Sequence, residues 1–370
     1  MRKAISILLS AAVLIIFSAC PPPDDPKDSP PVVSATEGEG FEAASNPGDT
    51  GVLTLNESAE VITMIYANNQ ASITFPTEIW DTDSVTLTRK YFLAETETTN
   101  AVMAAVLQWA CDHGKFSSVV GDHNGIDSST VKHGGQQLLD LDDPDCRVDY
   151  YGSGSFSAEF GYENHPVTNV TWYGAVMFCN WLTEMRDGNT AHVVYTDIDD
   201  TWDDDETTEN TDRNGYRLPS NTEWEFAARY RGNDPTNTVS GYTNPYFTNG
   251  NSASGATTYY QDSSSGSGEP GKSANDAVAV YGSYWDAGWI PTGTTDEAAV
   301  KSANPNTLGL YDISGNIWEW CFDKNGSTWR DSRGGSWDNS AADLRVGSYS
   351  GGSNPESEGG IKGFRLYRTR

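Results

Sequence analysis

Apolar positions recur with helical spacing at three places in the chain. After Thr98 and Thr99, either of which suits a helix cap, Val102, Met103, Val106, Leu107 and Ala110 share one face before Gly114 ends the run. Thr171 caps a second stretch with Trp172, Ala175, Val176, Cys179 and Leu182 at helical spacing, and Gly188 sits beyond its end. Ser220-Asn221-Thr222-Glu223 reads as a capping box, a hydroxyl and a carboxylate each able to take an orphan backbone N–H, with Trp224, Ala227 and Ala228 behind it. Strand-like runs fall at residues 52–55 and 61–65, within an N-terminal extension over 51–72. Two more, at 84–88 and 90–93, open a main domain expected over 73–370. A sustained alternation of strand and helix patterns is missing, which argues against a doubly wound parallel sheet. The expected class is α+β with few regular elements.

The first fifty residues follow a different pattern. Arg2 and Lys3 precede an apolar run over 4–17, and Phe17-Ser18-Ala19-Cys20 reads as a bacterial lipoprotein cleavage box. That run is too short to span a bilayer comfortably. Residues 1–19 are therefore expected to leave as a signal peptide, with Cys20 lipidated as the sole membrane attachment. Residues 20–50, rich in Pro, Asp, Ser, Gly and Glu, have little to bury and are expected to form a disordered tether.

Composition refines this picture. Thirty-six glycines and twelve tryptophans suggest irregular loops pinned by large aromatic plugs. A formal net charge of -29 repels nucleic acid and anionic lipid headgroups, so neither is an expected partner. The densest acidic block, residues 197–212, lacks the glycine and ligand spacing of a calcium hand and reads as a solvated loop. Outside the cytoplasm, Cys111, Cys146, Cys179 and Cys321 could form two bridges in any of three pairings. Cys111 and Cys179, on apolar helix faces, also read as buried thiols. Gly266-Ser267-Gly268-Glu269-Pro270-Gly271 matches the dinucleotide fingerprint formally, but no strand or helix is expected beside it and Glu269 would repel a pyrophosphate.

The tail carries three landmarks in order: residues 309–320 (Gly-Leu-Tyr-Asp-Ile-Ser-Gly-Asn-Ile-Trp-Glu-Trp), Arg333-Gly334-Gly335-Ser336-Trp337, and Gly363-Phe364-Arg365-Leu366. With the blocks at 92–100, 165–182 and 216–229, they resemble the formylglycine-generating enzyme (sulfatase-modifying factor) family from about residue 73 to 368. The resemblance implies that family's loop-rich variant of the C-type lectin fold. Its oxidases hold copper on two cysteines after the Arg-Gly-Gly-Ser block, at positions that count onto Asn339 and Leu344 here. No cysteine follows Cys321, and neither residue offers the thiolate that copper(I) favours, so no copper is expected. The related iron-dependent enzymes need a His-x-x-x-His-x-Glu cluster, which His113, His123, His133, His165 and His192 do not form.

A non-catalytic branch, the variable proteins of diversity-generating retroelements, uses the same fold to present a varied C-terminal segment. The corresponding window, 337–362, is dominated by Asp, Asn, Ser, Gly, Ala and Tyr, residue types that suit adaptable recognition. Asp338, Asn339, Ser340, Asp343, Ser348, Tyr349, Ser350 and Glu356 are the expected ligand contacts. The resemblance further implies a structural calcium ion on the carboxylates of Asp312 and Glu319 and the carbonyls of Gly315 and Ile317, all hard oxygen donors. Trp318, Trp320 and Trp337 are expected to plug the core. The sequence thus reads as a lipid-anchored, extracytoplasmic binding protein of the bacterial envelope, taking a protein or a glycan. The alternatives are an oxidase or maturation factor acting on exported sulfatases, and a purely structural envelope protein.

Overall fold

Alternation at period two divides the interior into two cores on either side of one sheet. The computed structural model describes residues 34–116, 125–126, 129–151, 154–199, 202–203, 207–210, 212–259 and 271–370. The leader, Cys20, the tether up to residue 33, parts of the acidic block and residues 266–270 of the glycine-rich stretch lie outside these.

Six antiparallel strands make the main sheet, in the order Ala35–Glu37, Thr50–Leu55, Glu60–Tyr66, Tyr91–Ala94, Tyr367–Thr369 and Tyr216–Arg217. Met64, Tyr66, Phe92 and Ala94 face one core with Leu53 and Leu55. Ile65, Tyr91, Leu93 and Tyr367 face the other. Because Tyr91–Ala94 is covered on both sides, all four of its residues are buried, the pattern expected of a central strand. Two expectations change here. Residues 34–50 are not tether: Ala35–Glu37 pairs with Thr50–Leu55, and Phe41 from the short helix Gly40–Ala43 packs on Phe92. Nor is 51–72 a separate extension, since its two strands supply a third of the main sheet. Neither the short strand nor the one-turn helix carries enough apolar periodicity to stand out in the sequence.

The three helices form where the caps place them. Asn100–Asp112 starts at Thr99, whose hydroxyl accepts from Val102 N at 3.4 Å. Trp172–Asp187 starts at Thr171, which accepts from Gly174 N at 3.0 Å, and closes at Gly188. Asn221–Arg229 has both halves of its capping box. The first two pack in one core and Asn221–Arg229 in the other. Elsewhere the described chain is mostly loop with short hairpins. A five-residue helix, Lys272–Asp276, follows Gly271, contrary to the expectation of loop alone there. Cys146, Cys179 and Cys321 are free thiols, so two bridges among the four cysteines do not form. Burial pushes the Cys146 thiol up to about 12.

Candidate functional site

The sequence blocks of the second half meet each other through buried charge. Arg217 places its guanidinium fork on Glu223, with both N–O distances at 2.7 Å. Glu223 also accepts from Ser220 N, so one carboxylate caps the helix and ties it to the sheet. Two residues on, Glu225 takes Arg229 Nε at 2.8 Å and bonds Arg333 through its other oxygen. Between them, Trp224 donates its indole N–H to Glu319 Oε2 at 2.8 Å. Arg365 fills the remaining oxygen of Glu319, with Nε at 2.9 Å and Nη2 at 2.7 Å. Arg217, Arg229 and Arg365 are fully buried. Burial pushes the Glu223 carboxyl up, but the Arg217 fork, with Arg89 and the Ser220 N–H, outweighs it and holds Glu223 below its usual range. These residues therefore join helix, sheet and tail, and Glu225 and Arg333 carry the network to the wall of a surface cavity.

Around that scaffold runs the C-terminal window. It is fastened at several points. Gly282 N and Ser283 N donate to Asn339 O at 2.8 and 3.3 Å, and Ala341 N donates to Ser283 O at 2.8 Å. A Cβ on Gly282 would lie 2.9 Å from Trp337 O, so only glycine allows this approach. Farther on, Gly347 crosses the turn at Glu78, where a Cβ would lie 2.3 Å from the Glu78 carbonyl carbon. Ser350 bonds Ser332 through backbone and hydroxyl, and Ser353 exchanges both backbone bonds with Arg330 at 2.8 Å. A cavity of about 410 Å³ opens beside Tyr349, lined also by Glu78, Lys324, Asn325, Asp331 and Arg333.

Residues 66–370 match the profile of a family described as the sulfatase-modifying factor enzyme 1-like domain. The chain belongs to that family. Similar proteins include the chaperone protein LppX of Paenibacillus barcinonensis, 30% identical over 235 residues that cover 57% of this chain and 72% of LppX. The formylglycine-generating enzyme of Mus musculus is 26% identical over 166 residues, which cover 43% of this chain and 27% of the mouse enzyme. The match thus spans only about a quarter of that enzyme's length. Among solved structures, Treponema denticola variable protein 1 aligns over 84% of this chain and 96% of its own, with a TM-score of 0.50 at 22% identity. That likeness shows the fold. The family match begins at the last residue of the strand Glu60–Tyr66, so this sulfatase-modifying factor domain carries the preceding strands as an addition to its own sheet.

In this family member the positions that count onto the copper cysteines have structural partners. Asn339 accepts from Trp318 Nε1 at 2.7 Å and from Ser336 Oγ at 2.6 Å. Leu344 is fully buried in a small cluster with Ala253, Ala256 and Ala341. Of the expected ligand contacts, Asp338, Tyr349 and Glu356 are exposed. Ser340 and Asp343 cap one another's turn, Oγ to Oδ2 at 2.8 Å, and Ser350 is held by Ser332. Ser348 is half-buried and gives its carbonyl to Arg333. Trp320 plugs the core and bonds Val170 O at 3.1 Å, and Trp318 is buried as well. Trp337 is only half-buried, because its N–H reaches out to Gly360 O at 3.2 Å.

The calcium set fits in part. Asp312 Oδ1 is buried without a hydrogen-bond partner, and burial pushes the carboxyl up to about 6. Gly315 sits in the same turn at φ +84°. Glu319 departs from the expectation, since Arg365 and Trp224 occupy both of its oxygens. Glu97 was missed in the sequence. It is fully buried, its Oε1 has no partner, and burial followed by the charge of Asp312 raises its carboxyl well above the usual range. Its one signal was a glutamate just before a helix cap, which solvated glutamates share. Among the described residues no three Asp, Glu, His or Cys side chains converge as a metal cluster.

Proposed function

We propose that this protein is a lipid-anchored, extracytoplasmic binding protein that uses its C-terminal window to take a protein or glycan ligand and performs no oxidation. The observation that carries this reading is the pair of positions where the family's oxidases place thiols. Asn339 spends its carbonyl oxygen on Trp318 and Ser336, and Leu344 is buried among alanines. Both positions serve packing, and the chain beyond Cys321 holds no thiolate for copper. Asp338, Tyr349 and Glu356 meanwhile point to solvent from loops whose ends are pinned, the arrangement of a recognition surface on a rigid frame.

Anchoring rests on the cleavage box ending at Cys20. Substituting Cys20→Ser should release the protein from the membrane fraction; retention in membranes would contradict it. A structural calcium ion stays in the proposal with Glu97, rather than Glu319, as the second carboxylate beside Asp312. Its test is calcium-dependent thermal stabilisation that disappears in Glu97→Gln. The reading as a whole is tested by two assays on the mature protein. A cysteine-containing sulfatase peptide with copper and oxygen should remain unconverted. Partners captured by the wild type should be lost when Asp338, Tyr349 and Glu356 are replaced together. Formylglycine formation, or capture indifferent to these replacements, would overturn it.

A further inference from the structure

The described tryptophans that remain at least half exposed are three: Trp80 at 73%, Trp289 at 61% and Trp329 at 50%. Each lies on a segment that backs directly onto the C-terminal window. Trp80 follows the turn at Glu78 and Ile79, against which Gly347 is pressed. Trp289 sits on the hairpin Ser283–Trp285/Trp289–Pro291, whose first strand is bridged to Ser340 and bonded to Asn339 and Ala341. Trp329 opens the strand Trp329–Arg333, and its Cβ lies 3.0 Å from where a Cβ on Gly352 would be. The window itself adds the exposed ring of Tyr349.

Local packing does not account for these rings. In the hairpin, Tyr284 turns to the alanine cluster behind it, whereas the cross-strand pair Trp285 and Trp289 projects from the opposite face, ring centroids 5.3 Å apart and nearly perpendicular. Fully burying one such ring is worth about 2 to 3 kcal/mol, so leaving three exposed costs stability that a partner can recover. Tryptophan and tyrosine are also the side chains that dominate binding energy in protein interfaces.

We propose that Trp80, Trp289, Trp329 and Tyr349 form an aromatic rim around the window and that this rim docks a basic segment of another protein. This rests on the reading of the window as a binding surface and names its partner class. Charge selects that class. The chain carries -29 overall, Asp338 is exposed beside Gly282 at the foot of the hairpin that holds Trp289, and Glu356 faces solvent farther along the window. Exposed indole faces attract lysine and arginine by cation–π contact, exposed carboxylates pair with them, and the acidic field speeds encounter with a basic partner.

The experiment selects binders to the mature protein from a displayed peptide library holding basic, neutral and acidic sequences in equal number, with a neutral oligosaccharide array run in parallel. Basic peptides should be enriched. Trp289→Ala and Trp329→Ala should each weaken them about tenfold, and Trp80→Ala by a smaller factor. Phe160→Ala removes a still barer ring, 95% exposed, that lies on none of the three segments backing onto the window, and it should change affinity less than about twofold. Enrichment of neutral or acidic peptides, a glycan bound through the tryptophans, equal loss in Phe160→Ala, or no binder at all would each overturn the proposal. Loss in Asp338→Asn with Tyr349→Ser but not in the tryptophan variants would leave the window reading standing and sink the rim. The reverse pattern would leave the three tryptophans as the binding surface and sink both the window reading and the rim that includes Tyr349.

Discussion

The scaffold and the window use the same kinds of residue for opposite ends. In the scaffold, Arg217, Arg229 and Arg365 are sealed against Glu223, Glu225 and Glu319, and Trp224 spends its N–H on the last of these. In the window and its rim, Asp338 and Glu356 face water and Trp289 stands bare. A charge or an indole thus fixes the fold where a buried partner meets it, and is available to a ligand where it faces water. The comparison also explains how one fold can host different surfaces: backbone bonds, rather than the outward side chains, fasten the window at Asn339, Ala341, Ser350 and Ser353.

The sharpest way to break the contrast is to open the scaffold. Arg365→Met should strand Glu319 as an uncompensated buried charge and cost about 3 to 5 kcal/mol in urea unfolding. A loss no larger than that of a surface substitution would mean that the pair is not sealed. Ser220→Ala removes half of a capping box and should cost about 1 kcal/mol by the same measurement, with Glu223 still held by Arg217. An unchanged stability would show that Glu223 alone carries the cap.

Lys362, where the window rejoins the scaffold, sharpens the comparison by titration. Its ammonium lies 4.2 Å from the Trp320 ring centroid with Ser353 Oγ at 2.6 Å, and burial lowers it to about 8. A cation whose folded value is depressed adds stability above its unfolded value and loses it as pH falls through the folded one. Stability from this group should therefore rise between about pH 8 and pH 10.5. Carbon-detected NMR of the lysine side chains should find one amine titrating near 8 that Lys362→Met removes; all lysines titrating near 10.5 would contradict the burial.

Much of the scaffold was legible in the sequence because its signals are local. Thr99, Thr171 and Ser220 announce helix starts within a few residues of the apolar face they precede. The blocks around Arg217, Glu319, Arg333 and Arg365 were legible as family landmarks, but their mutual pairing was not. Trp224 and Glu319 are 95 residues apart, and Glu225 and Arg333 are 108, so nothing in either neighbourhood names the partner. For the same reason Glu319 read as a calcium ligand, and Glu97, whose environment comes from Asp312 and Asn316, did not stand out. In the window, composition marked a polar surface but could not separate Asp338, Tyr349 and Glu356 from Asn339 and Ser340, which differ only in what they meet. The exposed tryptophans were hidden by their number, since a tryptophan in a chain with twelve is read first as core.

The central claim is that the window's outward side chains are free of the fold. Urea unfolding of the mature protein carrying Asp338→Asn, Tyr349→Ser and Glu356→Gln together tests it most directly. The account requires the variant to stay within about 0.5 kcal/mol of the wild type. A loss above about 2 kcal/mol would contradict it, because these residues would then belong to the scaffold rather than to a surface held out for a ligand.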